Sequence, residues 1–370
     1  MSKKRFDARA ALLPLLCIFL LLLTVKNSEI AANGIKKGIL LVTNMLAPAL
    51  FPFLVLSELI LSFDAASFFS NYLARPARFL FGLSPAGTSV LVLGFLCGVP
   101  VGAVSATTML HNGRISKAEF DRLLLFANTP STGFLIGAVG TALFGNKGAG
   151  VVLFFITLAA SILTGIFLKI KGGNLPIIPK IAENGVKKRL SFFALTTAVR
   201  NGFFTLLSVT GFVLFFAAIT ECILSLPHLP PLLATLLCGI LELTAGTTTA
   251  AQLLSPEAAF LAIAFFAGFS GLSIGFQVLF IAEGAAPKPL SYLLAKLLQG
   301  GISLALTFLY LRLAAPTLKT AAPGFAELSR DALYISPLTS VSIALSLPLF
   351  FFLIVYLLNW RAVRFEKTQK

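Results

Sequence analysis

The chain has 370 residues, of which 57% are hydrophobic and only 12% charged, with a mean hydropathy of +0.94 and a net charge of +15. A soluble domain needs about a quarter of its residues charged to cover its surface, so a soluble fold is excluded and a polytopic membrane protein is indicated. The basic excess is what the cytoplasmic loops of such a protein collect. No basic stretch interleaves with aromatics on a polar face, so no nucleic-acid partner is expected. Cys17, Cys97, Cys222 and Cys238 are far apart in apolar segments, and the only histidines are His111 and His228. With no CxxC pair, no metal site and no cofactor are expected.

The N-terminus carries Lys3, Lys4 and Arg5 ahead of an apolar stretch at about 10–25. A secretory signal has that outline, but no A-x-A-like site follows, and a first transmembrane helix is the reading taken. Further apolar segments lie at about 38–62, 86–110, 123–144, 149–168, 195–225, 231–254, 258–283, 290–312 and 339–358. Between the second and third, residues 64–83 alternate Phe68, Phe69, Tyr72, Phe79 and Phe81 with Arg75 and Arg78. That pattern suits an amphipathic helix at the membrane surface.

Two segments are irregular. Segment 86–110 is broken by Gly94, Gly98, Pro100 and Gly102, and segment 231–254 carries Gly239, Glu242 and Gly246 at its centre. Each is either one kinked span or two short arms that enter and leave on one side. Charge decides between them. With both as hairpins and a cytoplasmic N-terminus, 22 of the 29 Lys and Arg fall inside; as full spans, 13 do. The positive-inside rule selects the hairpins, giving eight spans, two re-entrant hairpins and both termini in the cytoplasm.

The order span, hairpin, broken span, span then occurs twice with opposite orientation, an inverted-topology repeat typical of secondary transporters. The expected organisation is a first helix and outer loop (1–37), repeat 1 (38–168), a basic cytoplasmic linker (169–194), repeat 2 (195–312), and an outer loop, last helix and basic tail (313–370). The halves share a weak match: Phe126-Ala127-Asn128 leading to Ile136-Gly137, and Phe266-Ala267-Gly268 leading to Ile274-Gly275.

Broken helices at membrane depth survive only where protein or a cavity surrounds them. Their ends expose unpaired N–H and C=O groups suited to a polar ligand. Four breaks qualify, and they nominate Cys97, Gly98 and Gly102; Asn128, Thr129, Ser131 and Thr132; Glu242, Thr244 and Thr247; and Ser270, Ser273 and Gln277 as substrate-binding residues. The alternative is close helix packing through small residues. Glu242, an ionisable group in mid-membrane, suits a coupling proton or Na+ or a hydrogen-bond acceptor for substrate. Arg200 and Lys296 are expected to reach the cytoplasmic face and are the countercharges available to an anionic substrate. There is no G-x-S-x-G and no phosphate-binding loop, so no enzyme activity is expected.

Leu50-Phe51-Pro52-Phe53, the run from Gly94 to Ala103, the break from Asn128 to Gly140, Leu241-Glu242-Leu243-Thr244-Ala245-Gly246, and Gly268-Phe269-Ser270-Gly271-Leu272 with Gln277 resemble the YlbJ-type sporulation integral membrane proteins. These carry the nucleoside-recognition (Gate) domain. The resemblance covers residues 35–315 and implies an all-α fold like that of the concentrative nucleoside transporters. It further implies export of dipicolinate, a planar aromatic dianion, from the mother cell across the outer forespore membrane. A nucleoside or nucleobase carrier and a non-transporting sporulation scaffold are the alternatives. The expected partners are the small-molecule substrate, membrane lipid and further copies of the chain, whose number no motif fixes.

Overall fold

A computed structural model describes residue 18 and residues 20–62, 66–173, 175 and 192–314. Every regular element among them is helical, as required where no water can satisfy an open backbone. Most of the first apolar segment (10–25), most of the linker at 169–194, the final segment at 339–358 and both termini lie outside the described residues.

The first described rod is α1 (Ser28–Leu41), a π turn at Val42–Leu46, and α2 (Ala47–Ser62). The π turn has a local cause. Pro48 has no N–H for the carbonyl of Asn44 and its ring presses on it, and the ladder slips so that Ala47 N bonds Val42 O, five residues back. The rod lies antiparallel on α8 (Phe192–Leu224): Gly34 meets Ala217, Gly38 meets Leu214, and Gly202 meets Val55. Lys37 pairs with Glu221 at 2.5 Å near one end. The outer loop expected up to residue 37 is therefore helix from Ser28 onwards. Its glycines seat it against a helix some 180 residues away, a contact that local sequence does not announce.

Next comes α3 (Ala66–Phe81), which buries Leu73, Ala77 and Phe81 on one stripe and exposes Tyr72, Arg75 and Phe79 on the other. It turns by 90° into α4 (Pro85–Cys97). The break at Gly98–Pro100 leads to α5 (Val101–His111). Residues eight apart in one helix stand about 12 Å apart along its axis. Here a Cβ on Gly102 would sit 3.0 Å from Gly94 Cα, so α4 and α5 fold back on each other as a hairpin.

α6 (Lys117–Phe126), an irregular stretch, a π-helical segment (Gly133–Leu143) and α7 (Lys147–Gly172) complete the first half. A buried corner ties its base. Glu119 Oε1 accepts from Ser84 N at 2.6 Å, and Arg122 donates to the carbonyls of Phe81 and Gly173, each at 2.9 Å. Glu119→Ala strands the Ser84 N–H and should cost about 1–3 kcal/mol; Glu119→Gln keeps an acceptor there. In thermal unfolding of the detergent-solubilised protein the alanine variant should melt earlier than both parent and glutamine variant. Equal melting of all three would remove the corner from the account of stability.

The second half follows α8 with α9 (Pro231–Leu241), α10 (Leu243–Leu253), α11 (Pro256–Phe269), α12 (Gly271–Ile281) and α13 (Pro289–Ala314). α9 and α10 are again a hairpin, since a Cβ on Gly246 would stand 2.1 Å from Gly239 Cα. Arms of 11–13 residues are about 16–20 Å long, short of the ~30 Å hydrocarbon core.

Among the described residues, the helices long and apolar enough to cross a membrane are Lys147–Gly172, Phe193–Leu224, Pro256–Ile281 and Pro289–Ala314. Two apolar cores hold the halves together. One joins Phe95 and Val99 of the first hairpin to Val278 and Tyr292; the other joins Phe134 and Leu135 of the π segment to Leu243 and Phe266.

Candidate functional site

The tip of the first hairpin rests on the irregular stretch 127–132. Val99 N donates to Thr129 O at 3.0 Å, and a Cβ on Gly98 would stand 2.8 Å from Ser131 N. Gly98 has φ +74, so glycine is required there both for backbone geometry and for close approach. Gly94 and Gly102 press on Ala127 O and on Asn128 Oδ1.

Three carbonyls at the break can be traced to partners on other elements. Phe126 O accepts from Ser161 Oγ of α7, Asn128 O from Lys296 Nζ of α13, and Thr129 O from Val99 N. Asn128 Nδ2 turns back to Leu124 O at 3.0 Å. A helix can be broken at this depth because three other elements satisfy it.

The second hairpin rests on the second break in a similar way. Ser270, with φ +72, ends α11, and Gly271, with φ +71, starts α12. A Cβ on Gly271 would lie 3.1 Å from Leu243 N and 3.4 Å from Glu242 Cα. Glu242 is the tip residue itself. It is buried, and its Oε2 accepts from Ala245 N at 2.6 Å, capping α10. A carboxylate there suits the positive end of the helix. The Phe266 ring packs over Gly239 within 2.4 Å of where a Cβ would stand.

Several of the remaining nominated side chains have local partners. Thr247 donates to Thr244 O, Ser270 Oγ to Ala267 O, and Gln277 Nε2 to Ser273 Oγ; Ser131 Oγ accepts from Phe134 N. Cys97 and Thr132 are half-buried, whereas Thr129, Thr244 and Ser273 are buried. The structure thus brings Gly98 and Gly102 together with Asn128, Thr129 and Ser131, and sets Glu242 against Gly271, the residue after Ser270.

The residue that links the two halves at this level was expected at the cytoplasmic face. Lys296 does not reach it; 1% exposed, it donates to Asn128 O at 2.5 Å and to Gln299 Oε1 at 3.1 Å. It forms no ion pair among the described residues. Lysine stems snorkel only where the surface is within reach, and Lys296 lies on the inner face of α13 against the first break. Arg200 is exposed.

Lys296 belongs to a buried stripe with Tyr292, Gln299, Ser303 and Thr307, at steps of three and four residues along one helix face. This stripe makes α13 the least apolar of the four long helices. The same spacing in an apolar segment was the signal in the sequence that could have revealed it. Asn128 Oδ1, Thr129 Oγ1, Tyr292 OH, Gln299 Nε2 and Ser303 Oγ are buried without a hydrogen-bond partner. A cavity of about 320 Å³ opens between α12 and α13, walled by Phe269, Leu272, Phe276 and Leu293 with Tyr292 and Lys296.

Long apolar helices, short apolar hairpins and polar groups kept for the interior define an all-α polytopic integral membrane protein. Over 76% of its length the chain is 26% identical to the sporulation integral membrane protein YlbJ of Bacillus subtilis (strain 168), 78% of which is covered. The resemblance to the YlbJ-type proteins carried by the glycine-rich motifs thereby extends over about three quarters of the chain. No family model matches the chain, and no solved structure matches it.

Proposed function

We propose that the chain is a secondary transporter or facilitator of a small polar metabolite, built as an inverted-topology repeat with two re-entrant hairpins. The observation that carries this reading is that each hairpin tip abuts a helix break, Gly98 on Thr129–Ser131 and Glu242 on Gly271, with the buried cation Lys296 bonded to the first of them. Discontinuous helices paired across a membrane are how secondary carriers expose backbone polar groups to a substrate. A protein that only packed helices would have little reason to hold an ammonium group there without a counterion.

On this reading the substrate lies between the breaks, within reach of Asn128, Thr129 and Glu242, and both termini are cytoplasmic. The similarity to a sporulation integral membrane protein supports a role in spore formation, with dipicolinate as the best candidate substrate. A coupling proton or Na+ would find its carboxylate in Glu242.

One set of observations favours a scaffold instead: Glu242, Thr247 and Ser270 all have bonding partners on neighbouring backbone. Uptake of labelled dipicolinate into proteoliposomes separates the two readings. Glu242→Gln retains a carbonyl oxygen for Ala245 N and removes only the charge, whereas Asn128→Ala removes the side chain that faces Gly102. Saturable uptake by the parent, reduced at least about tenfold in Asn128→Ala as expected for the loss of one good polar contact, supports a carrier. Failure of dipicolinate, other small carboxylates and nucleosides alike to enter would favour the scaffold. If Glu242 carries the coupling proton, uptake falls as pH rises in the parent, and that dependence vanishes in Glu242→Gln.

A further inference from the structure

Lys296 lies where the fold has gathered acceptors. α13 packs against α6; α6 ends at Phe126, and just beyond that end the ammonium group donates to Asn128 O. Its second partner is Gln299 Oε1, at 3.1 Å. Asn128 also keeps a buried Oδ1 that no donor meets. The C-terminal end of a helix is the negative pole of its dipole, and cations are favoured there. The charge on Lys296 is therefore met by oriented neutral dipoles, and no carboxylate pairs with it among the described residues.

Carbonyls freed at a membrane break are a recurrent site for a dissolved cation in secondary carriers. Such an ion is held by carbonyl dipoles that replace its hydration shell. Here a side chain from the other half of the chain delivers the cation instead. The neighbouring carbonyl, Thr129 O, accepts from Val99 N at the tip of the first hairpin, at 3.0 Å. Adjacent carbonyls are thus gripped by different elements, one by α13 and one by the hairpin. Asn128 O and the Thr129 N–H belong to one planar peptide unit. When Asn128 O loses its partner that unit is free to turn, and Thr129 turns with it.

We propose that Lys296 is a tethered cation: its ammonium group takes the carbonyl site of the first break in place of a dissolved metal ion. By fixing Asn128 O it holds the tip of the first hairpin on Thr129 in the absence of substrate, which makes it a positioning residue. No free cation is needed at this break, so a coupling ion acts at the second. An ammonium has three N–H groups and two are engaged, so the third is left for an anionic substrate. The transport reading gives this clasp its use. The clasp itself is a property of the substrate-free protein and is tested without uptake.

The reporter is amide hydrogen exchange of the purified full-length protein in detergent, read by mass spectrometry on the peptide that carries Val99. Lys296→Met fills a similar volume without a charge. Lys296→Ala leaves room for the propylammonium end of the lost side chain. In Lys296→Met exchange at Val99 should rise at least about tenfold, as for the loss of one hydrogen bond to a charged group. Peptides from α9 and α10 should exchange as in the parent. In Lys296→Ala the rise should be reversed by n-propylammonium chloride but not by 1-propanol, which has a similar shape and no charge. The parent should exchange alike in sodium chloride and in choline chloride.

Unchanged exchange at Val99 in Lys296→Met overturns the clasp. So does a failure of propylammonium to protect Lys296→Ala, or equal protection by propanol, which would make Lys296 a filler of space. A parent whose protection at Val99 depends on Na+ overturns it too. Should Lys296→Ala fail to give a single species on size exclusion, Lys296→Met and the comparison of salts decide the matter. The predicted exchange pattern in a protein that takes up no solute would remove the transport reading and leave the tethered cation standing.

Discussion

Lys296→Met should abolish uptake while leaving the protein as stable as the parent, or more so. Lys296 is 1% exposed, and its partners are a carbonyl and an amide oxygen, both neutral. Taking an ammonium group out of water costs several kcal/mol, and neutral acceptors repay part of that. Methionine fills a similar volume and removes the burial penalty, at the cost of stranding Asn128 O and Gln299 Oε1, about 1–3 kcal/mol each if no water reaches them. Replacement of buried charges by apolar residues of similar size is often neutral or stabilising by about 1–4 kcal/mol, so the opposing changes come close to cancelling. Uptake should behave differently. On the proposed carrier reading, losing the lysine from a buried charge pair with an anionic substrate costs about 2–5 kcal/mol, roughly a thirtyfold to several-thousandfold loss of apparent affinity. The two readouts are melting temperature and initial uptake rate for the same preparation. A variant that melts well below the parent and retains transport in proportion to its folded fraction would make Lys296 a structural residue.

Gly246→Ala should destabilise the second hairpin severely. The added methyl would stand 2.1 Å from Gly239 Cα and 2.7 Å from Gly239 N, with the Phe266 ring 3.2 Å away. Two of those neighbours are backbone and cannot swing aside, so the arms of α9 and α10 must separate. Overpacking of a rigid interior costs about 1–3 kcal/mol and occasionally more, and here the displacement also disturbs the Glu242 tip. The proper control is Gly211→Ala on the exposed face of α8, where nothing lies within 4 Å of the new Cβ. There alanine should be neutral or gain about 0.5–1 kcal/mol as a better helix former. Thermal unfolding should place Gly246→Ala several degrees below the parent and Gly211→Ala at or slightly above it. Coincident melting of the two variants would mean that the hairpin arms are not in contact.

Much of this arrangement is legible in the sequence, for identifiable reasons. The hairpins announce themselves because Gly94, Gly98 and Gly102, and Gly239 with Gly246, interrupt otherwise apolar runs, and because the side of the membrane on which Lys and Arg fall depends on whether those runs cross. The amphipathic α3 is legible from aromatics and arginines at helical spacing. The burial of Lys296 is legible only through its spacing with Tyr292, Gln299, Ser303 and Thr307, because a lysine eight residues after Lys288 taken alone reads as one more cytoplasmic charge. The capping role of Glu242 is equally hidden, since it exists only once the chain has reversed at that residue. The helical character of residues 28–37 depends on contacts with α8, far away in the chain. The π character of Gly133–Leu143 follows from no local rule that we can identify.

The two hairpins also differ in how they are moored. The base of the first is pinned at the corner where Glu119 holds Ser84 and Arg122 holds Phe81 and Gly173, with Lys169 donating to Phe79 O nearby. The base of the second starts at Pro231 with Leu232 and Leu233 turned outward, and no side-chain hydrogen bond ties it to another element among the described residues. Segments with few cross-links open at lower free energy than those that must break several. The molecule therefore has a stiff jaw and a compliant one, and a swing of α9 and α10 about Pro230 and Pro231 breaks fewer bonds than any comparable movement of α4 and α5.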